Sequence, residues 1–101
     1  MKFQVELTNC LKYKDKKTGN DKVRLGYRLK DNKYNQNSLT FKGYAEMSYF
    51  LDGIELFDKM KSEYFGMPAE LTMEEQPSSS NPMRKVAVLK QIRIGNEVIN
   101  V

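Results

Sequence analysis

The chain holds 101 residues, with 17 Lys/Arg, 13 Asp/Glu, a net charge of +4, one cysteine and no histidine. That length suits one domain, 1–101, built around a single core. The cysteine and histidine counts exclude an intramolecular disulfide, Cys/His zinc sites and every Ser-His or Cys-His nucleophile pairing.

Residues 2–8 alternate, with Phe3, Val5 and Leu7 on one side, and predict a half-buried strand. The alternation breaks at Asn9-Cys10-Leu11, which predicts a bulge before Lys12 and Tyr13. Residues 14–21 are polar and charged around Gly19-Asn20 and predict a hairpin loop. Residues 22–30 give the cleanest pattern in the chain. Val23, Leu25, Tyr27 and Leu29 fall on one face, and Lys22, Arg24, Gly26, Arg28 and Lys30 on the other. A polar turn over 31–38 contains Tyr34. A third strand is predicted over 39–45, with Leu39, Phe41, Gly43 and Ala45 inward and Thr40, Lys42 and Tyr44 outward.

Residues 46–64 change period. Met47, Phe50, Leu51, Ile54, Phe57 and Met60 recur at three and four, with Asp and Glu between them. The spacing predicts an amphipathic helix, or a pair broken near Gly53, with Ser48 and Asp52 as candidate N-caps. Alternation returns over 69–76, a loop follows at 77–82, and 84–94 reads as the last long strand. Gly95-Asn96 turns the chain, and 98–101 adds a short final strand that closes the barrel or pairs with a second copy.

Charge is divided along this order. Residues 1–44 carry +7, residues 45–76 carry −6, and residues 77–101 carry +3. The two basic ends are expected to share one face, with the acidic helix elsewhere. Such a face concentrates anionic partners, nucleic acid above all.

Three strands, a helix or helix pair, and a closing hairpin predict a mainly β domain. The expected architecture is a five-stranded Greek-key barrel of the OB type, which binds oligonucleotides on strands 2 and 3 and the 1–2 and 4–5 loops. The residues at those places are Lys14, Lys16 and Lys17 in the first loop, and Lys22, Arg24, Arg28 and Lys30 on strand 2. Lys42 and Tyr44 follow on strand 3, and Arg84 and Lys85 at the second loop. Cations there would neutralise phosphates, and Tyr44, Tyr34 and Tyr13 would either stack bases or pack half-buried. Gly26 would let a base or sugar approach the backbone. No catalytic residue, metal-ligand set or cofactor motif is read from the chain. The carboxylates Glu70, Glu74, Glu75, Asp52, Glu55 and Asp58 read as solvated faces, and Cys10 as a small packed residue.

The short first strand, the basic second strand and the closing hairpin with its apolar, basic last strand resemble small single-stranded-DNA-binding OB proteins of phages and mobile elements. The gene V proteins of filamentous phage are examples. The resemblance implies sequence-tolerant coating of single strands during replication or transfer, often by a dimer. The helical stretch at 46–64 departs from that pattern. RNA is an alternative ligand. A different alternative is a protein-interaction module that docks through the acidic helix 46–64. The first ten residues lack the apolar run of a signal peptide, and no stretch reaches the ~18 apolar residues of a membrane span. A cytoplasmic location without membrane contact is therefore expected.

Overall fold

A computed structural model describes residues 1–30 and 42–101, with the Lys30 side chain left aside. The predicted turn at 31–38, Tyr34 and the residues Leu39, Thr40 and Phe41 lie outside the described residues. The strands are β1 (Lys2–Lys14), β2 (Asp21–Lys30), β3 (Tyr44–Asp52), β4 (Pro68–Pro77), β5 (Lys85–Ile94) and β6 (Glu97–Asn100). A short helix, α1 (Glu55–Lys59), and a 3-10 turn (Ser62–Tyr64) link β3 to β4. All six strands form one antiparallel sheet in the order β3-β2-β1-β4-β5-β6. The mainly β expectation holds, but the sheet is not closed into a barrel, and six strands are described rather than five. No described helix is long and apolar enough to cross a membrane.

The inward face of the sheet carries Leu7, Val23, Leu25, Leu71, Leu89 and Ile92, each fully buried. Leu56 from α1 and Tyr64 from the 3-10 turn cover this core. Burying side chains of this kind stabilises the fold by about 1.5–3 kcal/mol each. Alternation in the sequence marks the core positions of β1, β2 and β4, while on β5 a register shift sets Leu89 and Ile92 three residues apart.

The bulge in β1 has the largest structural consequence. The β1–β2 register shifts between Leu7 and Asn9, one step earlier than the sequence pattern suggests. One extra residue reverses which side chains face inward. Val5 and Leu7 point to the core before it, and Cys10 packs against the core after it. Leu11 and Tyr13, which a continuous alternation would bury, therefore emerge on the outer face.

The helix expected over 46–64 is a correction. Its first seven residues continue β3, which pairs with β2 without interruption from Lys30↔Tyr44 to Lys22↔Asp52. Ala45, Tyr49 and Leu51 alternate inward there, and this short period prevails because β2 supplies a pairing edge. Gly53, at φ 81°, then ends the strand in a left-handed turn. Only five residues of α1 are helical, with Ile54 at the N-cap and no side-chain cap. Ser48 and Asp52 belong to β3 and cap nothing. A continuous acidic docking helix over 46–64 is thus absent.

β3 and β5 line a cleft of about 570 Å³ together with α1. The Leu89 amide on β5 donates across it to the Tyr49 hydroxyl on β3, at 3.0 Å. β6 pairs with β5 through Ile92↔Ile99 and buries Ile99 against the core. The final strand anticipated at 98–101 therefore adds to the edge of the sheet.

Candidate nucleic-acid interface

The outer face of β1, β2 and β3 is organised in rows that cross the three strands. Strand pairing sets each row, because side chains directly opposite in register share a face. Beginning nearest the 1–2 loop, the first row is Tyr13, Lys22 and Asp52. The second is Leu11, Arg24 and Phe50, and the third Asn9, Gly26 and Ser48. The fourth is Glu6, Arg28 and Glu46, and Tyr44 stands opposite Lys30 beyond it.

The cations of these rows differ in their surroundings. Lys22 Nζ lies 3.3 Å from Asp15 Oδ2 and 3.8 Å from Asp52 Oδ1. The hydrogen bond from Lys22 to Asp15 is the leading cause that raises the Lys22 pKa. Asp15 itself is held below the usual carboxylate range, first by the Lys17 backbone amide and then by Lys22. Arg28 is held by Glu6: its Nε donates to Glu6 Oε1 at 3.0 Å, and its terminal nitrogen donates to the same oxygen. Its guanidinium carbon also sits 4.1 Å from the centre of the Tyr44 ring, a cation–π contact.

Arg24 is different. Among the described residues it has no ion pair, and its Nε is buried without a hydrogen-bond acceptor. Leaving such a donor unmet costs about 1–3 kcal/mol, more for a charged group. Its neighbours are Leu11, 43% exposed, and Phe50, 60% exposed. An unpaired guanidinium between two solvated apolar side chains can accept an anion beside a flat, stackable surface.

The remaining candidates lie around this face. Lys14 pairs with Asp21 at 3.5 Å, and Lys16 and Lys17 are exposed in the 1–2 turn. The Asp15 carboxylate shapes that turn by accepting from the Lys17 and Thr18 amides. Lys42 is exposed but precedes β3, so it is not on the strand as expected. Arg84 and Lys85 are exposed at the β4–β5 hairpin. That hairpin extends past Lys2↔Thr72, the end of the β1–β4 ladder, as far as Pro77↔Lys85. It therefore flanks β1 at the end opposite the 1–2 loop, and the two loop groups do not merge into one cluster. Tyr27 packs against the core, and burial pushes its hydroxyl pKa up. Burial likewise raises the Cys10 thiol.

Two expectations about the face need correction. The space above Gly26 is filled, since a Cβ there would collide with Asn9 Oδ1 and Thr8 Oγ1. The glycine accommodates the bulge and offers no opening to a base. The acidic middle of the chain also does not lie wholly elsewhere, because Glu46 and Asp52 join the same face through β3.

The sequence reading omitted Leu11 and Phe50. Leu11 was recoverable from the bulge, which reverses the alternation. Phe50 was recoverable from the inward triplet Ala45, Tyr49 and Leu51, once 46–52 is taken as strand. Comparison with known protein families, with curated proteins and with solved structures finds no match for this chain.

Proposed function

We propose that the chain is a non-enzymatic single-stranded-DNA-binding protein of low sequence specificity that uses the outer face of β1, β2 and β3. The uncompensated Arg24 between Leu11 and Phe50 carries this reading. Single-strand binders pair cations for phosphates with aromatic rings for bases, because every base has a face that can stack. Phe50 and Tyr44 supply rings on β3, Arg24 and Arg28 supply guanidinium groups on β2, and Lys16 and Lys17 add charge at the rim.

The strand order supports an OB-type architecture. The first five strands lie β3-β2-β1-β4-β5, and β3 and β5 share the cleft that Tyr49 bridges. β3 and the part of β5 before its pairing with β6 at Gln91, brought together, would complete a five-stranded, partly open barrel. The likeness in outline to small phage-type single-strand binders supports a part in replication or transfer of a mobile element.

The test is a titration of labelled single-stranded DNA, duplex DNA and RNA at two salt concentrations. Binding to oligo-dT is expected to weaken with salt, with a slope of about −0.7 per phosphate contacted. Salt-insensitive binding, or none to any single strand, overturns the proposal. A clear preference for RNA reassigns the ligand through its 2′-hydroxyl.

A further inference from the structure

Arg28 presents a second arrangement on the same face. Glu6 Oε1 accepts from two nitrogens along one edge of its guanidinium, and Tyr44 covers one of its flat sides. The side chains of Arg28 and Glu6 are 35% and 29% exposed, so the pair is reached by solvent without being fully hydrated. A phosphate oxygen binds a guanidinium edge with the same geometry as a carboxylate oxygen. We infer that Glu6 is a built-in stand-in for phosphate: it positions Arg28 against Tyr44 and lowers affinity until a nucleic-acid phosphate displaces it. The inference rests on the reading of this face as a single-strand platform. Glu6 is accordingly a positioning residue that acts through Arg28.

The row supplies its own control. Glu46 stands opposite Arg28 on β3 and carries the same charge as Glu6, yet it makes none of the hydrogen bonds that hold the guanidinium. General repulsion of phosphates would make Glu6 and Glu46 equivalent. Displacement makes only Glu6 depend on Arg28.

The experiment measures oligo-dT affinity for the wild type, Glu6→Ala, Glu6→Gln, Glu46→Gln, Arg28→Ala and the Glu6→Ala/Arg28→Ala double variant. Circular dichroism verifies that each is folded. Glu6→Ala is expected to tighten binding about threefold to fivefold, the upper part of the range for an ion pair that solvent reaches. Glu6→Gln, which keeps an oxygen acceptor, should gain less. Glu46→Gln should change affinity by less than about twofold, and the Glu6 gain should vanish in the Arg28→Ala background. In the wild type the Arg28 Nε–H resonance should shift when oligo-dT is added, as its acceptor changes. Equal gains at Glu6 and Glu46 overturn the inference, as does a Glu6 gain that persists without Arg28. Wild-type binding with no gain in Glu6→Ala overturns this inference alone. Absence of binding by the wild type and every variant overturns both this and the proposed function.

Discussion

Arg24 and Arg28 lie four residues apart on one strand and project from the same face, yet their surroundings are opposite. Arg28 has a carboxylate on each neighbouring strand and a tyrosine ring against it. Arg24 has Leu11 and Phe50 in the equivalent places and a buried nitrogen without an acceptor among the described residues. An internal counter-ion satisfies a cation and also competes with any ligand for it. An unpaired cation has no internal ion pair to open before an anionic ligand reaches its guanidinium. A count of exposed cations therefore overstates a binding face, and the row around each cation decides what it contributes. Lys22, with Asp15 and Asp52, belongs with Arg28.

The most direct way to break the comparison is to remove each arginine in turn. Arg24→Ala should weaken oligo-dT binding about tenfold or more, as expected for loss of a charge-assisted hydrogen bond with no internal substitute. Arg28→Ala should cost about threefold, because binding no longer requires an ion pair to open. Equal losses in the same titration would show that the counter-ions are irrelevant.

The rings sharpen the comparison further. Phe50→Ala should reduce binding by about 1–3 kcal/mol, the range for a stacked base. Phe50→Leu should recover only part of it, since apolar area returns without the aromatic face. Tyr44→Ala should cost less than Phe50→Ala, because the Arg28 guanidinium already covers one side of the Tyr44 ring. A larger loss at Tyr44 would move the principal stacking position to the other end of β3.

How much of this is legible in the sequence depends on the range of the information. The two-residue period of β2 is local, so the face of Lys22, Arg24 and Arg28 can be read without a structure. The core positions of β4, and of β1 before its bulge, follow from the same alternation, whereas in β5 a register shift separates Leu89 from Ile92. β3 is different, because Met47, Phe50, Leu51 and Ile54 satisfy a helical period while Ala45, Tyr49 and Leu51 satisfy a strand period. Pairing with β2 decides between them, and pairing is a long-range fact. The same holds for the carboxylates. Glu6 precedes Arg28 by 22 residues, and Glu46 reaches the face only because β3 lies beside β2. Segment charge therefore locates the cations but misses the acids set among them.

The smallest expected effect concerns Asp15, whose carboxylate ties the 1–2 turn to Lys22. Its pKa is lowered in the folded chain, first by the Lys17 amide and then by Lys22. A lowered acid pKa means that folding favours the ionised form. The contribution is thus complete above the ordinary aspartate value and disappears as pH falls through the lowered one. Asp15→Asn keeps an oxygen for the turn amides and removes the charge. Denaturant midpoints followed from neutral pH down through the carboxylate range should therefore show a shallower acid dependence for Asp15→Asn than for the wild type. Arg24→Ala should retain the wild-type dependence, because that arginine has no carboxylate partner among the described residues. If Arg24→Ala flattened the acid limb as Asp15→Asn does, Arg24 would have a counter-ion after all, and the division of this face into satisfied and unsatisfied cations would fail.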